Sequence, residues 1–234
     1  QDLGSIGIQP FEQESVAALR FLASQPGIND KKLGVFGHSE GALFALLLAT
    51  GHAGSAPPVH ALGLFEPLSV RYLNIVITQV DASIESQVSS GKISRALGDA
   101  VEAQLKHAVA VERATGSYPT NLSYGLENLL TPSSQTFFYQ TDRYDPRNLA
   151  ASLPAHFPVI VSCSTGDSQV SCAEVDHLVS GLSRAGASTD FVRLHGVDHV
   201  LKVAPSSSPN YYTEPLPFSP VLKVAVKQFV NQNL

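Results

Sequence analysis

The sequence contains no methionine, at position 1 or elsewhere in its 234 residues, so its N-terminus is read as something other than a translation start. Residues 1–10 also lack the basic stretch and apolar core of a signal peptide. A processed chain would already have lost one, so export stays open. Charge is scarce: Asp, Glu, Lys and Arg make up 15% of the chain, against roughly a quarter in average soluble domains. The balance is 15 basic against 20 acidic residues, a formal net charge of −5, and Lys31-Lys32 is the one adjacent basic pair. The electrostatic footprint of a phosphate-backbone binder is missing, and no nucleic-acid partner is expected. Long apolar runs are missing too. The longest, residues 42–49, falls far short of the roughly 20 residues that span a bilayer, so no transmembrane segment is expected. Glycine (17) and proline (15) stay well below low-complexity levels, no period repeats, and 44% of the residues are hydrophobic, enough for one large core.

Within that core the apolar residues change period along the chain. Over residues 12–24, Val16, Ala17, Leu19, Leu22 and Ala23 lie at helical spacing and Pro26-Gly27 ends them. Leu33-Gly34-Val35-Phe36-Gly37 is a short apolar run suited to a buried parallel strand, and residues 41–50 read as a helix stopped by Gly51. The alternation returns with strands at 61–65, 158–162 and 190–194, a helix over 174–184 closed by Gly186, and a last helix over 221–231. Four strands interleaved with helices predict an α/β fold, a mainly parallel sheet with helices on both faces. Residues 69–148 break the pattern. Ile84, Val88, Ile93, Leu97, Val101, Leu105 and Val109 recur at helical spacing, with Gly91 and Gly98 read as breaks. Residues 1–68 and 149–234 are therefore expected to form the core, and 69–148 a helical insertion; a connection of that length usually serves function. Residues 204–220 hold five prolines among serines and predict a surface loop.

Gly37-His38-Ser39-Glu40-Gly41 matches G-x-S-x-G and falls between a predicted strand and a predicted helix, the context that motif requires. A serine there occupies a strained turn, and glycines at both flanking positions are expected to remove Cβ atoms that would clash. The turn also places Ser39 at a helix N-terminus, with the Glu40 N–H as a candidate oxyanion donor. A serine hydroxyl needs a base, and the base needs a carboxylate to orient it. His199, after the last strand in Val197-Asp198-His199, is the candidate base, with His195 as runner-up; His38 is expected to point away from the serine. The His195/His199 spacing of four lacks the H-E-x-x-H setting, so no metal site is expected. For the acid, Asp167 in Thr165-Gly166-Asp167 follows the third strand, and Glu66 at the end of the second is the rival. Asp198 is poorly placed to bond its own neighbour's ring.

The elbow Gly37–Gly41, Thr165-Gly166-Asp167 and Val197-Asp198-His199 together resemble the nucleophile elbow, acid loop and histidine loop of the α/β-hydrolase superfamily, in the manner of its serine aminopeptidase-like and dienelactone hydrolase-like esterase branches. The resemblance covers most of the chain, and residues 69–148 fall where that superfamily carries its helical lid. It implies a serine hydrolase cleaving carboxylic esters without metal or organic cofactor. Peptidase, amidase or acyltransferase activity, or a non-catalytic binding domain, are the alternatives. Leu73, Ile75, Val76 and Ile77 at the start of the insertion favour a small-molecule ester with a hydrophobic portion. In one respect the sequence departs from the pattern: only a helix precedes the elbow strand, so the superfamily's first four strands and the loop giving a second oxyanion donor have no counterpart here. The outer edge of the elbow strand is then expected to be covered by a second copy of the chain or by an N-terminal segment. Cys163 and Cys172 bracket the acid loop, either as two small buried thiols or as a disulfide clamping that loop; the second would point to an oxidising, secreted or cell-envelope setting.

Overall fold

A computed structural model describes residues 6–203 and 212–234. The apolar runs become four strands, β1 (Gly34–His38), β2 (Ala61–Phe65), β3 (Pro158–Ser164) and β4 (Ser188–Leu194), all parallel and in the order β1-β2-β3-β4. β3 and β4 are longer than their apolar stretches predict. Ser188 and Thr189 pair with Pro158 and Val159, so the ladder carries polar residues into the strand that hydrophobicity alone leaves out. The helices are α1 (Gln9–Ala23), α2 (Gly41–Ala49), α3 (Tyr72–Ser89), α4 (Arg95–Thr115), α5 (Leu126–Leu129), α6 (Pro132–Asp142), α7 (Pro146–Ala151), α8 (Cys172–Ala185) and α9 (Pro220–Asn233). Of the expected proline-rich loop, residues 204–211 lie outside the described residues. Among the described residues no helix is long and apolar enough to cross a membrane.

Two compact units are present. One comprises Phe11–Val70 and Asp145–Leu234. Its two central strands are buried on both faces, as a parallel sheet requires. On one face Phe229 of α9 packs with Ala61 and Ile160. Strand alternation turns Val159, Val161 and Cys163 to the other face. β1 forms one edge of this sheet, and among the described residues no strand pairs with its outer side; Phe36 there is 39% exposed.

The other unit holds Arg71–Tyr144 together with residues 6–10. Its helices enclose a core of Leu73, Ile84, Leu105, Ala108 and Val109. Ser94 caps α4 by accepting from the Leu97 N–H, and Gly116 at φ 75° ends it. Gly98 does not break this helix, contrary to the sequence expectation. It lies buried inside α4, where an added Cβ would fall 2.8 Å from Ile84 Cγ2, so the glycine lets α3 approach. Asp142, 1% exposed at the end of α6, accepts from Arg71 Nη2 (2.6 Å), Arg113 Nε (2.8 Å) and the Leu73 N–H (2.8 Å). One buried carboxylate thus ties together the beginning of α3 and the ends of α4 and α6.

Candidate active site

Ser39 stands at the corner between β1 and α2 with φ 54°, a left-handed conformation that costs a non-glycine residue of order 1–3 kcal/mol. The end of β2 holds it there. The Ser39 N–H donates to Phe65 O (2.9 Å), and the Ser39 carbonyl accepts from the N–H groups of Ala42 (3.1 Å) and Leu68 (3.0 Å). The two flanking glycines are not equivalent, which corrects the expectation that both are sterically required. A Cβ at Gly37 would sit 2.2 Å from the Gly41 carbonyl oxygen, whereas one at Gly41 would meet nothing within 4 Å. Strand and helix converge on the strand side of the turn only. Glu40 occupies the N-cap position of α2, so its N–H lies at the helix N-terminus.

The histidine loop following β4 brings His199 to the serine. His199 is 3% exposed, and its Nε2 lies 2.9 Å from Ser39 Oγ, placed to accept the hydroxyl proton. Its Nδ1 lies 2.8 Å from Asp167 Oδ2 and donates to it. The other carboxylate oxygen of Asp167 accepts from the N–H groups of Gln169 (2.7 Å) and Val170 (3.0 Å), which fixes its orientation. Serine, imidazole and carboxylate therefore form one hydrogen-bonded relay across three loops.

Glu66, the rival acid, is fully buried at φ 43° but faces β3 instead of the imidazole, with Oε1 accepting from Ser162 Oγ at 3.3 Å. Burial, reinforced by the nearby charge of Asp167, pushes its carboxyl up to about 8, so it is mostly a neutral acid at pH 7. Asp198 serves the loop: its Oδ1 accepts from the Lys202 N–H (2.8 Å). His195 is exposed, whereas His199 is hydrogen-bonded to Ser39 and Asp167.

His38 turns its ring to the histidine loop. Its Nε2 lies 2.6 Å from the His199 carbonyl oxygen and donates to it, and the two rings are 4.9 Å apart. Partial burial lowers its pKa below the usual histidine range. A second residue with no sequence signal is Ser164. Its hydroxyl donates to Val197 O (2.5 Å) and accepts from the Gly166 N–H (3.1 Å), joining the acid loop to the histidine loop. Cys163 and Cys172 form a disulfide, so the acid loop is closed between the end of β3 and the start of α8. Of the four apolar residues at the start of the insertion, Leu73 belongs to the core of the helical unit, and Val76 lines a cavity within that unit.

No protein-family model and no curated protein matches the sequence. Solved structures do. The chain is similar to DcsB in complex with its substrate analogue (13% identity, 100% of this chain and 75% of that one, TM-score 0.54). It is similar to the Pyrococcus furiosus esterase PF2001 (14% identity, 95% of this chain and 61% of that one, TM-score 0.52). It is also similar to the acetyl xylan esterase of Paenibacillus sp. R4 (14% identity, 97% of this chain and 53% of that one, TM-score 0.51). The chain thus spans less than two thirds of the length of either esterase. At such identities the likeness is one of fold, and the fold is that of the α/β-hydrolases.

Proposed function

We propose that the chain is a serine hydrolase that cleaves carboxylic esters through an acyl-enzyme on Ser39. The observation that carries this reading is the relay from Ser39 Oγ to His199 Nε2 (2.9 Å) and from His199 Nδ1 to Asp167 Oδ2 (2.8 Å). In the reaction, Ser39 Oγ attacks the acyl carbonyl while its proton passes to His199 Nε2. Asp167 holds the imidazole in the tautomer whose Nε2 is bare, and stabilises the imidazolium that forms. The Glu40 N–H, at the start of α2, donates to the oxyanion. His199 then returns the proton to the departing alkoxide, and a water repeats the sequence to release the acid. The helical insertion between β2 and β3 acts in this reading as the lid, and the substrate carries a hydrophobic portion. The esterases of like fold make short carboxylic esters the first substrates to try.

Fluorophosphonate labelling with mass-spectrometric mapping tests the proposal, with Ser39→Ala as control. An adduct on Ser39 that the control lacks is the expected result. A folded protein that takes no label would overturn the reading.

A further inference from the structure

The helical unit holds a half-open cavity of about 530 Å³, lined among the described residues by side chains between Tyr72 and Phe138. That is within the roughly 300–1,000 Å³ of small-molecule pockets. Val76, Val80 and Ile84 line it from α3 at intervals of four residues, the spacing that stacks side chains on one helix face. Gln79, Ser83 and Gln87 form a second row along the same helix at the same interval, and Gln87 Nε2 donates to Ser83 Oγ (3.3 Å). One side of the cavity is therefore aliphatic and a neighbouring strip is amide and hydroxyl. Among the described residues no Asp, Glu, Lys, Arg or His contributes to the lining. Around the same cavity, Leu97, Tyr124 and Leu129 are 37%, 56% and 37% exposed, large apolar side chains left in contact with water.

We propose that this cavity is a binding site for an uncharged single-chain amphiphile, an aliphatic alcohol or ester whose alkyl chain lies along Val76, Val80 and Ile84 and whose polar end meets the Gln79–Ser83–Gln87 strip. The lining chemistry selects the class. An alkyl chain gains by covering the aliphatic row and the exposed apolar rim. A hydroxyl or ester oxygen can exchange hydrogen bonds with amides and a hydroxyl, which both donate and accept. A carboxylate or ammonium would lose hydration with no opposite charge to replace it. The volume of about 530 Å³ lies mid-range for small-molecule pockets, the size class of a twelve-carbon alcohol. The inference goes beyond the hydrolase reading, because the site lies wholly within the helical unit and binding there forms no acyl-enzyme.

The test uses the full chain carrying Ser39→Ala, so that binding is measured without turnover. N-phenyl-1-naphthylamine, a neutral dye that brightens in apolar surroundings, is titrated and then displaced by 1-dodecanol, dodecanoate or dodecyltrimethylammonium at pH 8, each below its micelle threshold. The expected result is saturable dye binding, with dodecanol displacing at a concentration about tenfold or more below that of either ion. Ser83→Phe and Val80→Phe, which fill the cavity from its rim and its wall, should weaken dodecanol about tenfold while the far-UV circular dichroism stays unchanged. Leu97→Lys, at an exposed rim position, should turn the preference toward dodecanoate. Absence of saturable dye binding, equal displacement by the three amphiphiles, or indifference to both Ser83→Phe and Leu97→Lys would overturn the proposal. None of these outcomes depends on whether Ser39 is a nucleophile, which the fluorophosphonate experiment decides separately.

Discussion

Asp167 and Glu66 are carboxyl groups at the ends of neighbouring strands, and their surroundings give them different work. Asp167 accepts N–H donors from His199, Gln169 and Val170. Glu66 receives a hydroxyl at 3.3 Å and sits in full burial, which keeps its proton on at neutral pH. Asp167→Asn is therefore expected to lower kcat on a p-nitrophenyl ester by about four orders of magnitude, because the imidazole loses its orienting anion. Glu66→Gln exchanges a neutral acid for a neutral amide of the same shape and should leave kcat at pH 7 within about threefold, less than 1 kcal/mol. A reversed ranking would move the catalytic acid to Glu66. The flanking glycines give a second contrast at this scale. Gly37→Ala forces a Cβ to within 2.2 Å of a backbone oxygen and should abolish Ser39 labelling, whereas Gly41→Ala, in open space on a helix, should preserve it. Ser39, Asp167 and His199 were legible because each follows a strand in a short, recognisable segment. His38 was not: its partner carbonyl is 161 residues away, and only the folded turn shows where its ring points. The neutral state of Glu66 was equally hidden, since it arises from burial and from a charge brought near by folding.

At the scale of elements, the strands that were easiest to read are those buried on both faces. β2 is apolar throughout and matches its sequence range; β4 carries exposed polar residues, and its start is set by pairing with β3. Gly98 shows the limit of local propensity. A glycine inside a helix costs about 1 kcal/mol relative to alanine, which argues for a break. The close approach of Ile84 is a tertiary reason for tolerating that cost, and nothing near position 98 announces it. The ion cluster at Asp142 was likewise silent, because Arg71 and Arg113 meet it from 71 and 29 residues away. Asp142→Ala would leave two guanidinium groups without their carboxylate and the Leu73 N–H without an acceptor. Both guanidiniums are partly exposed and regain water, so the loss falls short of the roughly 3–5 kcal/mol of a fully buried pair and comes mainly from the buried Leu73 N–H and the broken ties between helices. Urea unfolding followed by circular dichroism should show the helical signal of residues 71–144 lost at lower denaturant. An unchanged midpoint would mean that the cluster contributes packing alone.

For the molecule as a whole, two buried carboxyls set the dependence of stability on pH. Glu66 lies in the sheet-bearing unit and is raised to about 8, chiefly by burial and then by Asp167. Glu112 lies in the helical unit, fully buried, and burial raises it to about 7; it faces the Tyr118 hydroxyl without meeting hydrogen-bond geometry. Both carboxyls bind their protons more tightly folded than unfolded, where they titrate near 4.5. Their stabilising contribution is therefore complete below about pH 4.5 and falls as the unfolded chain ionises first. Each group lowers the unfolding free energy by up to about 1.4 kcal/mol per pH unit, until the folded state ionises in turn. For Glu112 that decline ends near pH 7, and for Glu66 near pH 8. His38, lowered from the ordinary histidine value of 6.5 chiefly by burial, acts in the opposite sense, adding stability as pH rises toward that value. Two raised carboxyls oppose this one histidine, so the urea midpoint is expected to fall between pH 5 and pH 8. Glu112→Gln should flatten the decline below pH 7, and Glu66→Gln should flatten it up to pH 8. A wild-type midpoint that stays level from pH 5 to pH 8, or rises, would show that these carboxyls ionise in the folded chain at ordinary values, and Glu66 would then stand beside Asp167 as a second anion at the site.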